Sequence, residues 1–103
     1  MLKQKLEKDD VVVFRTVGSD EVIATIVEET DTAYRVMKPL ALAMGPKGVS
    51  LTHYMIMANQ DSAFEFLKST VITVVKANKK AEEAYIQSTS NIVQPSKPSI
   101  ITN

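Results

Sequence analysis

The chain has 103 residues, 45% of them hydrophobic, and its twelve basic and twelve acidic side chains cancel at pH 7. That length builds one domain with one modest core, burying roughly 60–65% of the surface an unfolded chain exposes. The absence of cysteine excludes a disulfide framework and a thiolate metal site, and zero net charge is not the basic excess of a dedicated nucleic-acid binder.

Taken in chain order, the first ten residues, MLKQKLEKDD, place Leu2 and Leu6 one helical turn apart, which predicts a short N-terminal helical turn. Val11 to Val17 is β-branched and reads as the first strand. Gly18-Ser19-Asp20 supplies hairpin chemistry, with Gly accepting positive φ and Ser and Asp bonding to nearby backbone. The second strand runs from Glu21 to Glu29, with Val22, Ala24 and Ile26 on one face and Ile23 and Val27 on the other. Thr30-Asp31-Thr32 makes the next turn, and the third strand runs from Tyr34 to about Met44. Pro39 inside it requires a bulge, a bend or an edge, because proline cannot donate to the ladder.

Gly45-Pro46-Lys47-Gly48 predicts another hairpin, followed by a fourth strand from Val49 to Ala58. Asn59-Gln60-Asp61-Ser62 interrupts it, Phe64 and Phe66 alternate on one face, and Val71 to Lys76 is the fifth strand. Asn78 then caps a helix from Lys79 to about Ser90, whose apolar stripe is Ala81, Ala84 and Tyr85. A single domain over residues 1–92 is expected. Pro95 and Pro98 among serines predict a flexible tail over 93–103.

Zero net charge hides an asymmetry. Residues 1–34 hold four basic and eight acidic side chains, and residues 35–103 hold eight basic and four acidic ones. Such a split suits either steering of a polyanion or head-to-tail assembly, and scattered solvated charge explains it equally well. Lys3, Lys5 and Lys8 alternate with acids and precede no apolar targeting segment. No apolar run approaches the ~20 residues of a helical membrane span, so a cytoplasmic protein without membrane contact is expected.

Catalytic constellations are missing. His53 is the only histidine and has no cysteine to join it, so no metal site is expected. Glu28, Glu29 and Asp31 cluster without a histidine, and the Gly-Pro-Lys-Gly turn lacks the spacing of a phosphate-binding loop. Met37, Met44, Met55 and Met57 read as adaptable core or interface filler. A non-enzyme without cofactor is expected. Five short bent strands in meander order suit a small barrel, and apolar residues on both strand faces suit a barrel that also meets a neighbouring subunit.

The arrangement resembles the Sm/LSm/Hfq class of small barrels, and more closely the Sm-like proteins of marine cyanophages. Ser19 falls where the turn glycine of the first Sm motif lies, Val22, Ala24 and Ile26 take its aromatic, glycine and leucine places, and Thr30 or Asp31 takes the loop aspartate place. Tyr34 lies near the asparagine position of that motif, and Leu67-Lys68-Ser69 before Val71-Ile72 matches the second motif, Ile-Arg-Gly, loosely. The stretch GSDEVIATIVEETDTAYRV and the helix AEEAYIQ carry the likeness to the phage sequences. Tyr34, Lys68 and Ser69 replace the Asn, Arg and Gly of the motifs.

The resemblance implies a mainly β, strongly bent, five-stranded Sm-like (SH3-like) barrel with a short C-terminal helix. It also implies a homo-oligomeric ring of about five to seven subunits, in which the fourth strand of one subunit pairs the fifth of the next. Pore-side loops of such a ring bind single-stranded RNA or DNA. Tyr34 would then stack on a base, Lys68 would contact phosphate, and Thr30, Asp31, Thr32, Ser69 and Thr70 would surround them, with Lys47 a further phosphate candidate. Two function classes therefore stand: a nucleic-acid-binding ring in RNA chaperoning or phage nucleic-acid processing, and a structural or adaptor ring for a phage or host protein partner. If the chain is phage-encoded, the host cytoplasm is its expected location.

Overall fold

In the computed structural model, which describes residues 5–90, the β-branched run after Asp10 forms β1 (Val11–Thr16). It pairs antiparallel with β2 (Glu21–Glu29), Val12 opposite Ala24 and Phe14 opposite Val22. In the turn between them the Thr16 amide donates to the Asp20 carbonyl at 3.0 Å and the Ser19 amide to the Thr16 carbonyl at 2.9 Å. The positive φ expected of Gly18 falls instead on Ser19, at 74°.

β3 (Ala33–Gly45) is the longest strand and pairs with β2 through two irregularities. An extra residue on β2, Val27, separates the Ile26–Val36 pair from the Glu28–Arg35 pair. An extra residue on β3 separates Thr25–Met37 from Ile23–Leu40, where Lys38 takes φ 53° beside the buried Pro39. A bulge leaves one residue out of the ladder, so it accommodates a proline that has no N–H to give.

β3 then folds back through Pro46 and Lys47 into β4 (Gly48–His53), with Gly45 opposite Gly48. Gly48 adopts φ 113°, which a Cβ would oppose. β5 (Phe64–Leu67) pairs with the start of β3, Tyr34 opposite Phe66. A 3-10 turn at Lys68–Thr70 leads into β6 (Val71–Lys76), which returns to β1 with Phe14 opposite Val74. Helix α1 (Lys79–Ser90) is capped by Asn78, whose side-chain oxygen accepts from the Ala81 amide at 2.8 Å.

The strand order is β4-β3-β2-β1-β6, with β5 also on β3, giving one six-stranded antiparallel sheet that is not closed. The mainly β fold with a C-terminal helix is as expected, and the sheet has six strands where five were expected. The run Val49–Ala58 ends as a strand at His53, because Tyr54 to Ser62 turns back on itself, and Phe64–Leu67 is a strand of its own. The N-terminal helical turn is likewise not found in residues 5–10, which make a turn with the Asp10 amide on the Glu7 carbonyl at 3.0 Å. Leu2 and the 93–103 tail lie outside the described residues.

The sheet buries both faces of its centre. On one, Val12, Phe14, Val22, Ala24, Ile26, Tyr34, Val36 and Phe66 form the main core, with the Phe14 and Phe66 rings edge to face at 4.7 Å. On the other, Val11, Ile23 and Leu40 pack under Tyr85 of α1. Ile23, on the second apolar face of β2, is therefore covered by the chain's own helix. The Tyr85 hydroxyl reaches the Met37 and Lys38 carbonyls beside the β3 bulge at 3.1 and 3.0 Å, and Thr25 Oγ1 at 3.0 Å.

Candidate functional site

The residues named for nucleic-acid contact fall in two loops, and the pairing of β3 with β5 brings those loops together. In the first, Thr30 Oγ1 accepts from the Ala33 amide at 3.0 Å and the Thr32 amide at 3.4 Å, while the Thr30 amide donates to the Ala33 carbonyl at 2.9 Å. These bonds hold a tight turn that leaves Asp31 and Thr32 exposed. In the second, Thr70 Oγ1 donates to the Leu67 carbonyl at 2.8 Å and fixes the 3-10 turn, with Ser69 at its exposed tip. The Lys68 amide donates to the Thr32 carbonyl at 2.8 Å and ties the loops together.

Lys68 stands at the centre of this junction. Its Nζ lies 5.3 Å from the centroid of the Tyr34 ring and 2.7 Å from Glu29 Oε2. The hydrogen bond to Glu29, with added attraction from Glu29, Tyr34 and Asp31, raises its pKa against a smaller opposing effect of burial. One cation thus faces two carboxylates, and its charge is already engaged. Tyr34 is 6% exposed and belongs to the main core. A base needs an open ring face to stack upon, and Tyr34 offers none in this conformation.

Lys47 does not join the group. It sits exposed at the tip of the β3–β4 hairpin, at the opposite end of β3 from Ala33. Glu29, in sequence only one of three clustered acids without a histidine, is the residue that engages Lys68. The signal for its role was an acid at the end of a strand next to the loop, but locating Lys68 opposite it required knowing that β5 pairs with β3. Among the described residues no group of His, Cys, Asp and Glu is arranged to hold a metal ion, and no helix is long and apolar enough to cross a membrane. Compared with known proteins, the chain matches no family model and no curated protein.

Proposed function

We propose that the chain is a structural or adaptor module of Sm-like type, which assembles head to tail into a ring of about five to seven copies and holds a protein partner. The observation that carries this reading is the pair of sheet ends. Among the described residues β4 and β6 terminate the strand order, and Val49 on one and Ile72 and Val75 on the other are 58%, 63% and 49% exposed. An unpaired, apolar strand edge is a template for another chain. Because the two edges differ, their pairing is heterologous and propagates until the rotation closes a ring. In this reading the partner is a phage or host protein and the ring works in the cytoplasm.

A second reading, single-stranded RNA or DNA binding, is favoured by one specific observation: the Thr30–Tyr34 and Lys68–Thr70 loops meet, with Thr32 and Ser69 exposed at the rim. It ranks second because Lys68 would have to leave Glu29 and Tyr34 would have to leave the core before either served a strand. The two are separated by titrating fluorescein-labelled single-stranded RNA and DNA at two salt concentrations, with light scattering on the same samples. A ring that binds neither at low salt supports the adaptor. Binding that weakens in Lys68→Ala, with a salt slope lower by about one phosphate per contacting lysine, moves the conclusion to nucleic acid. A monomer at micromolar concentration overturns the ring.

A further inference from the structure

The last turn of α1 ends beside the end of β4, where Ser88 and Thr89 line a cavity of about 40 Å³ together with Leu40 and His53. From there the seam between helix and strand continues toward the start of both. Leu40 stands opposite His53 and Leu42 opposite Leu51, and alternation puts Leu42 on the same face as Leu40, which packs under Tyr85. One such two-residue step along the seam lies a groove of about 360 Å³, lined by Ile23, Leu42 and Leu51 of the sheet and by Ala81 and Ala84 of the helix.

Such a groove suits apolar side chains, and Leu42 remains 40% exposed within it. Its polar lining residues are Glu21, Asn78 and Lys80; Glu21 is paired with Arg15 at 3.1 Å and Asn78 caps α1, so charge selects no occupant. Chain connection does. Beyond Ser90 the sequence continues Asn91-Ile92-Val93-Gln94-Pro95. Asparagine directly after a helix suits the left-handed residue that reverses the chain. Ile92 and Val93 are β-branched and Gln94 precedes a proline, so all three favour extended backbone. Extended chain advances about 3.3 Å per residue, so Ile92, two residues past Ser90, has the reach of the two-residue step from His53 back to Leu51.

We propose that Ile92 and Val93 occupy this groove in their own chain, after a reversal at Asn91, and so close the seam between α1 and β4. The two side chains cover Leu42, Leu51 and Ala84. A tether this short holds them at an effective concentration on the order of millimolar, so an apolar segment of another molecule enters only by displacing them. The groove is then a self-occupied site, and a protein partner of the module docks elsewhere. The inference rests on neither the ring nor the adaptor reading.

The test is NOE spectroscopy on the full chain with labelled Ile, Leu and Val methyl groups. Ile92 and Val93 give cross-peaks to Leu42 and Leu51 at every protein concentration. Ile92→Ser combined with Val93→Ser, in the full chain, removes these cross-peaks, shifts the Leu42 and Leu51 methyl resonances and raises the emission of the apolar dye ANS. Cross-peaks between the Tyr85 ring and Ile23 persist in that variant and show that the fold is kept. Several results overturn the proposal: no cross-peak from residues 92 and 93 to the groove, contact of Ile92 with Ile86 alone, or Ile100 and Ile101 in the groove instead. Unchanged Leu42 and Leu51 resonances in the double variant overturn it as well. A sample mixing two differently labelled copies tests the same-chain assignment, because cross-peaks between copies would give the groove to a neighbouring molecule and overturn it.

Discussion

Tyr85 ties the helix to the irregular centre of β3 through one hydroxyl. Its single proton serves the Met37 and Lys38 carbonyls, and Thr25 has its own proton to give back to the phenol oxygen. Tyr85→Phe keeps the ring and strips these partners, so it costs about 1–3 kcal/mol by the usual penalty for orphaned buried polar groups, read as a lower urea midpoint at unchanged slope. Burial also raises the Tyr85 pKa above its ordinary 10.0, against the lowering effect of Thr25, and the Glu29 bond raises that of Lys68 above 10.5. For both groups the folded chain keeps a proton that the unfolded chain has begun to release, so their contribution is complete below the ordinary values and declines as pH rises through the folded ones. Thermal midpoints should therefore hold steady up to about pH 10 and fall above it. Tyr85→Phe and Lys68→Met should each flatten part of that alkaline fall, and a fall unchanged in both variants would refute the assignment.

At the scale of elements, α1 depends on its first turn. Asn78 accepts from the Ala81 amide and its carbonyl accepts from the Glu82 amide at 2.9 Å. Asn78→Ala should cost ~0.5–2 kcal/mol, measurable by urea unfolding, and should loosen Tyr85 on β3 with it. This helix was legible in the sequence because a cap residue and a helical stripe sit at fixed offsets, and β2 was legible because alternation is a local signal. The end of β4 was not. Met55-Ile56-Met57 has strand composition, and the bend is held by a nearby side chain, Gln60, bonding the Met55 and Ala58 carbonyls, a contact that neither composition nor alternation signals. The apolar residues on both faces of β2 were visible, but not that Tyr85, sixty residues beyond Thr25, covers Ile23. Of the candidate site, each loop could be named from turn chemistry and resemblance. Its counter-ion could not, since Glu29 meets Lys68 only after β5 has paired with β3.

At the scale of the whole molecule, the open sheet leaves β4 and β6 as different edges among the described residues, and this difference makes the proposed assembly testable in a particular way. Val74 packs against the main core, so a charge there would attack the fold; Val49 and Ile72 are exposed on opposite edges and report on assembly alone. Val49→Asp should block the β4 edge and Ile72→Asp the β6 edge, each leaving a folded monomer whose thermal midpoint stays within a few degrees, as surface changes usually do. Each variant keeps one intact edge of opposite kind. Mixed in equal amounts, they should form dimers in light scattering and nothing larger, because one good β4–β6 contact can be made per pair and both outer edges are then charged. A self-paired interface gives a different result: β6 on β6 would dimerise Val49→Asp alone, and β4 on β4 would dimerise Ile72→Asp alone. Rings that persist in either single variant would place the contact elsewhere on the surface.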